Sequence, residues 1–186
     1  MYQGRKVSLK VEERILPSGR KVLREIVQHK GAVAILPLIN EETIIILRQY
    51  RPEVEEWLYE IPAGTLEPLE NPCECAAREL EEETGYKPGK LTELFEMYMA
   101  PGYSTEILHS FAAINLREGV FHPTESEELS VVSKTFDEAI EMIRTNMIRD
   151  AKTIATILYY IKFGEVTNLN HEEQNSRKPE IYGSCR

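Results

Sequence analysis

Three carboxylates in the run R-E-L-E-E-E-T-G are spaced as a metal-binding face would need them. Placed on a helical wheel at about 100° per residue with Glu79 at zero, Glu83 falls near 40° and Glu82 near 300°. The three share an arc of roughly 100° beside an apolar stripe of Cys73, Ala76, Ala77, Leu80 and Thr84, while Glu74 and Glu81 point to the solvent side at about 200–220°. Glu79 and Glu83 form a like-charge i,i+4 pair that costs roughly 0.2–0.5 kcal/mol. All three stand in the second half of the helix, where its dipole disfavours anions. A local rule broken in this way points to a functional site. The simplest compensation is a hard divalent cation, Mg²⁺ or Mn²⁺, since the donors are oxygens with no thiolate or imidazole among them. A bare E-x-x-E-E is more often a solvated helix face, so the surrounding residues decide.

The helix that must hold these groups has clear ends. Asn71 is a good N-cap, with Pro72 at the first helical position and Glu74 three residues after the cap. Gly85 suits the residue just past the C-terminus. Before it, Gly64 and Glu70 precede the helix at fixed distances, and Arg78 stands beside Glu79.

Together these residues fit G-x5-E-x7-R-E-U-x-E-E-x-G-U, with U an apolar residue: Gly64, Glu70, Arg78, Glu79, Leu80, Glu82, Glu83, Gly85 and Tyr86. The seven strict positions coincide by chance in about one chain in a million. The segment resembles the Nudix box of the Nudix hydrolase family. The resemblance implies hydrolysis of a nucleoside diphosphate linked to another moiety, with Mg²⁺ held by Glu79, Glu82 and Glu83. It implies Arg78 and Glu70 as the ion pair bracing the loop against the helix. In relatives that cleave ADP-ribose, the carbonyl before the first box glycine also binds metal, which here is that of Ala63.

Outside the box, three segments resemble the ADP-ribose pyrophosphatase branch. Pro101 follows Gly85 by sixteen positions, within A-P-G-Y-S-T-E, which implies Pro101, Gly102 and Glu106 as walls of the substrate site. R-Q-Y-R-P implies that Arg51 contacts the diphosphate. L-R-E-I implies a strand that reaches across a homodimer, so that Arg24 and Glu25 touch the nucleoside end of the partner's substrate. An alternating exposed strand pair is the plainer reading of Arg24 and Glu25. The general base in this branch comes from an acidic loop; T-E-S-E-E supplies Glu127 first and Glu125 next, while Glu82 also belongs to the catalytic set. Trp57 reads as a core residue.

The remaining elements form a scaffold for this segment. Residues 7–29 read as a hairpin turning at Pro17-Ser18-Gly19. Strands are expected at 32–39, 43–49, 58–61, 94–99, 107–114 and 129–133, and helices at 71–84, 136–147 and 153–163. That is an α+β domain, an α/β/α sandwich with a mixed sheet between helices and a small N-terminal antiparallel β appendage. The expected division is a dimerisation hairpin over 1–30, a Nudix hydrolase domain over 31–164 and a loose polar tail over 165–186.

Length and charge bound the alternatives. The 186 residues make roughly one domain, able to bury about 70% of its unfolded surface. With 22 basic against 31 acidic residues, the net charge of −9 argues against a nucleic-acid or anionic-membrane partner. The longest apolar run, Ala32 to Ile39, is far short of the ~20 residues of a membrane helix. The start carries no secretory signal, and three cysteines give no disulfide framework, so a cytoplasmic location is expected. The expected activity is Mg²⁺-dependent hydrolysis of ADP-ribose to AMP and ribose 5-phosphate. Alternatives are action on GDP-mannose, NADH or FAD, or a nucleotide-sensing module without turnover.

Overall fold

In the computed structural model, which describes residues 2–4, 7–123 and 128–174, the apolar run at 32–39 becomes the centre of the domain. Strand β4 (Ala32–Pro37) is buried along its whole length. It pairs in parallel with β10 (Ile107–Ile114), and antiparallel with the short β7 (Ala63–Thr65); β9 (Lys90–Tyr98) completes the sheet in the order β7-β4-β10-β9. A strand buried on both faces needs apolar residues at every position, which is why this segment reads as a run and not as an alternation.

The two faces of β4 serve different layers. Ala32, Ala34 and Leu36 join a core with Ile44, Ile46, Leu108, Ile148 and Ile157. Val33 and Ile35 face helix α1 (Pro72–Thr84) through Cys75, Ala76 and Leu80. A second antiparallel sheet runs β12-β5-β6, with β5 at Thr43–Arg51, β6 at Glu56–Glu60 and β12 at Leu129–Thr135. Helices α2 (Phe136–Arg144) and α3 (Ala151–Gln174) follow it, and α3 packs on β4, β9 and β10. The α+β architecture is as the sequence indicates.

The N-terminal segment forms a sheet of its own, β1-β2-β3, with β1 at Tyr2–Gln3, β2 at Ser8–Ile15 and β3 at Lys21–Gln28. Period two places Leu9, Val11 and Ile15 on one face with Leu23 of β3, and all four are exposed. The sheet is fastened to the domain near its end: Val27 N–H donates to the Tyr103 carbonyl at 2.8 Å, and Thr105 N–H donates to the Val27 carbonyl at 3.0 Å.

Several boundaries differ from expectation. Helix α2 stops at Arg144, where Thr145 caps it and Asn146 turns to positive φ. Helix α3 begins at Ala151 and continues past Gly164 to Gln174, where a loose tail was expected. A polar composition does not remove helix propensity, and the Tyr160 ring lies against Gly164. The sequence also hides the short strands β7, β8 (Tyr86–Lys87) and β11 (Arg117–Glu118), which carry too few residues for a period to show.

Candidate active site

Helix α1 is fixed at both ends by local chemistry. Asn71 accepts from the Glu74 N–H at 2.9 Å, and the Glu74 carboxylate returns to the Asn71 N–H, closing a capping box. Gly85 adopts the left-handed conformation at φ 75° and donates to the Glu81 carbonyl at 2.8 Å. Its buried residues are Cys75, Ala76, Leu80, Glu83 and Thr84. The buried arc is therefore turned toward the carboxylates relative to the expected stripe: Cys75 replaces Cys73 and Ala77, and Glu83 lies inside it.

Glu83 is 2% exposed, and its Oε2 accepts the Ala63 N–H at 3.0 Å. This bond pins the acidic face of α1 to β7. One residue on, a Cβ at Gly64 would come within 1.9 Å of the Glu79 carboxyl carbon. Only glycine leaves room for that carboxylate.

Arg78 gathers the rest. It donates to both oxygens of Glu70 (Nε–Oε1 2.8 Å, Nη2–Oε2 3.0 Å), to Glu79 Oε1 at 2.7 Å and to Glu82 Oε2 at 3.3 Å. The Arg78 guanidinium holds the Glu70 carboxyl down at about 2, with the Glu67 N–H adding to the effect. Part of the repulsion expected along this helix is thus relieved by a cation of the helix itself. Among the described residues, no three His, Cys, Asp or Glu side chains are already grouped as a metal cage. The donor set nevertheless fits a hard divalent ion. It offers only oxygens, from Glu79, Glu82, Glu83 and the Ala63 carbonyl, on two elements that touch.

The second sheet brings Arg51 to the same place. Arg51 and Glu60 form a two-pronged pair, Nε–Oε1 and Nη2–Oε2 both at 2.8 Å, and Arg51 also feels the charge of Glu83. Glu60 is 1% exposed and additionally meets Lys152 from α3. Burial alone would raise its carboxyl, but Arg51 and Lys152 hold it at about 2. Sequence reasoning missed Glu60 and Lys152. A lone acid inside the apolar strand W-L-Y-E-I-P was the available signal for the first.

Pro101 and Gly102 sit on an exposed turn stitched by the Met99 N–H to the Glu106 carbonyl at 3.2 Å. Glu106 Oε1 stands 3.9 Å from His29 Nδ1. Arg24 and Glu25 are exposed on β3, in a different sheet from β7. Within one chain the structure does not bring them to α1. Glu125 and Glu127 lie outside the described residues; the backbone carbonyl of their neighbour Glu128 accepts the Tyr50 N–H at 2.9 Å, one residue from Arg51.

Two expectations are corrected. Glu81 does not face open solvent: Val120 N–H donates to its Oε1 at 3.2 Å, Lys87 pairs with it at 3.3 Å, and Gly119 crosses over it. The loop after β10 folds back over the end of α1 and covers it. Trp57 is not a core residue but 42% exposed, with the Arg48 guanidinium 4.4 Å from its ring centroid.

A NUDIX domain model matches residues 28–157. The chain is 40% identical to the ADP-ribose pyrophosphatase of Bacillus subtilis (strain 168), over 86% of this chain and 87% of that protein. It is equally similar, at 40% and the same coverage, to the methanol dehydrogenase activator of Bacillus methanolicus. The GDP-mannose pyrophosphatase of Escherichia coli O157:H7 is 36% identical, over 73% of this chain and 79% of its own. A solved structure described as an ADP compounds hydrolase shares the fold, with a TM-score of 0.77 over 89% of this chain and 90% of that one, at 21% identity.

Proposed function

Because the chain belongs to the Nudix hydrolase family, we propose that it hydrolyses the pyrophosphate of a nucleoside diphosphate sugar, with ADP-ribose as the preferred substrate and AMP and ribose 5-phosphate as products. The observation that carries this reading is the seating of Glu79 on Gly64 and of Glu83 on the Ala63 N–H. A bare solvated helix has no reason to bury one carboxylate and clear a glycine for another.

Nudix hydrolases generally use divalent metal ions. Here Mg²⁺, or Mn²⁺ in its place, would be held by Glu79, Glu82, Glu83 and the Ala63 carbonyl. When bound, such an ion supplies charge neutralisation to the diphosphate and Lewis acidity to the reacting centre. The chain's own residues do the rest. Arg51 donates to a non-bridging phosphate oxygen. Glu127, with Glu125 as the alternative, takes the proton from the attacking water as its oxygen bonds to phosphorus and the bridging bond breaks. Arg78 and Glu70 keep the loop and helix in register. Pro101, Gly102 and Glu106 wall the pocket.

The exposed apolar face of β2 and β3 supports a homodimer in which Arg24 and Glu25 reach the partner's nucleoside site. The GDP-mannose pyrophosphatase relative makes GDP-mannose the competing substrate. The test is a turnover panel of ADP-ribose, GDP-mannose, NADH and FAD with Mg²⁺ and with Mn²⁺. The expected result is fastest release of AMP from ADP-ribose. Absence of turnover across the panel overturns the reading in favour of a nucleotide sensor.

A further inference from the structure

Four charges of alternating sign meet: Arg51 of β5, Glu60 of β6, Lys152 in the first turn of α3 and Asp150 just before it. Arg51 bonds to Glu60 through two parallel contacts of 2.8 Å. Lys152 shares the same carboxylate and lies 2.9 Å from Asp150 Oδ1. Asp150 Oδ2 accepts from the Thr153 hydroxyl at 2.6 Å, and that hydroxyl accepts the Ile61 N–H at 2.9 Å. The group therefore ties the residue after Glu60 to the helix as well.

Buried ion pairs of this kind are weak contributors to stability, because desolvation consumes most of the Coulombic gain. Apolar residues of similar size would serve a purely structural role as well or better. The geometry offers another use. A guanidinium has a Nε–Nη2 edge and a Nη1–Nη2 edge, each able to take an oxyanion in two-pronged fashion. Glu60 occupies the first edge, which fixes the plane of the group and leaves the second as the edge for another anion.

We propose that Glu60 is a positioning residue for the substrate diphosphate: it clamps the Nε–Nη2 edge of Arg51, so that the Nη1–Nη2 edge is presented to a phosphate, and Lys152 with Asp150 holds the clamp in place. This rests on the phosphate-binding role given to Arg51 above. An arginine without the clamp would spend rotamer freedom on binding and would present its donors in many orientations.

A double-mutant cycle separates this from a structural role. Glu60→Gln keeps the size of the side chain but sets an amide donor against Nη2. It should lower kcat/KM for ADP-ribose by about tenfold or more, and the same change should cost less than about twofold in an Arg51→Ala background. If Glu60→Gln instead costs the same factor in both backgrounds, the proposal is wrong. Should Glu60→Gln melt too low for assay, Glu60→Gln with Lys152→Met removes one charge of each sign, and the same cycle is run from it. A second readout needs no turnover. In the wild type, NMR should resolve separate Arg51 Nη signals, slowed in rotation by the two-pronged contact and assigned by their loss in Arg51→Lys; in Glu60→Gln they should average. Averaged signals in the wild type overturn the clamp, even if the panel shows no hydrolysis and the functional reading has failed on its own.

Discussion

The carboxylate of Glu79 lies where the side chain of residue 64 would begin, 1.9 Å from the position of a Cβ there. Real Cβ atoms do not approach this closely, so a larger residue at 64 must displace either the carboxylate or β7. Gly64→Ala is therefore expected to leave a folded protein with misplaced Glu79. Its kcat/KM should fall by about 100-fold, some 2.7 kcal/mol of transition-state stabilisation. Steady-state kinetics with circular dichroism as the folding control checks this, and near-normal activity would refute it.

Glu83→Gln should lower kcat by at least about 100-fold, because the buried position and the Ala63 contact are kept while the charge is lost. Glu81→Gln provides the contrast. It loses the pairing with Lys87 but keeps an acceptor for the Val120 N–H, so its cost should be a small drop in melting temperature with activity within about twofold of wild type. Comparable kinetic losses in the two variants would contradict the assignment of the acidic face.

Millimolar Mg²⁺ should raise the melting temperature by mass action, following RT ln(1 + [L]/Kd). Glu79→Gln and Glu83→Gln should blunt the rise. A wild-type melting curve that does not move with Mg²⁺ or Mn²⁺, with or without AMP, would rule out the proposed ligands.

Acid should release the Glu70–Arg78 brace. Glu70 is held at about 2 in the fold against an ordinary value near 4.5, its bond from Arg78 being the main cause. A depressed carboxyl stabilises fully above the unfolded value and loses that contribution as pH falls toward the folded one. The melting-temperature gap between wild type and Glu70→Gln should thus be constant above about pH 5 and close between about pH 4.5 and 2. A gap that persists at pH 2 would show that the pair contributes through packing alone.

The chain should run in light scattering at about twice its mass of 21.4 kDa. Leu23→Glu, on the exposed apolar face of the hairpin, should shift it toward monomer. Mixing Arg24→Ala with Glu83→Gln should restore part of the activity after subunit exchange, since one site in each mixed dimer carries neither change. No recovery in variants shown to exchange would place Arg24 outside the site.

What was legible in the sequence was what is local. The Asn71 cap, Pro72 and Gly85 follow from helix geometry, and the pairing of Glu70 with Arg78 was implied by the resemblance to the Nudix box. Contacts across long separations were not. Lys152 meets Glu60 across 92 positions, and no periodicity in either segment announces it. The wheel placed Glu81 correctly on the far side of α1 but could not know that Gly119 and Val120 would return to cover that side. Trp57 was misassigned because an aromatic in a strand does not reveal which face the neighbouring sheet leaves open.

Arg78 has a consequence for the order of assembly. Small metalloproteins whose ligands only repel one another remain unfolded until metal arrives. Here one guanidinium, already present in the chain, gathers Glu70, Glu79 and Glu82. The loop and helix can therefore form before any metal arrives, and a divalent ion held by Glu79 and Glu82 would have to compete with Arg78 for their carboxylates.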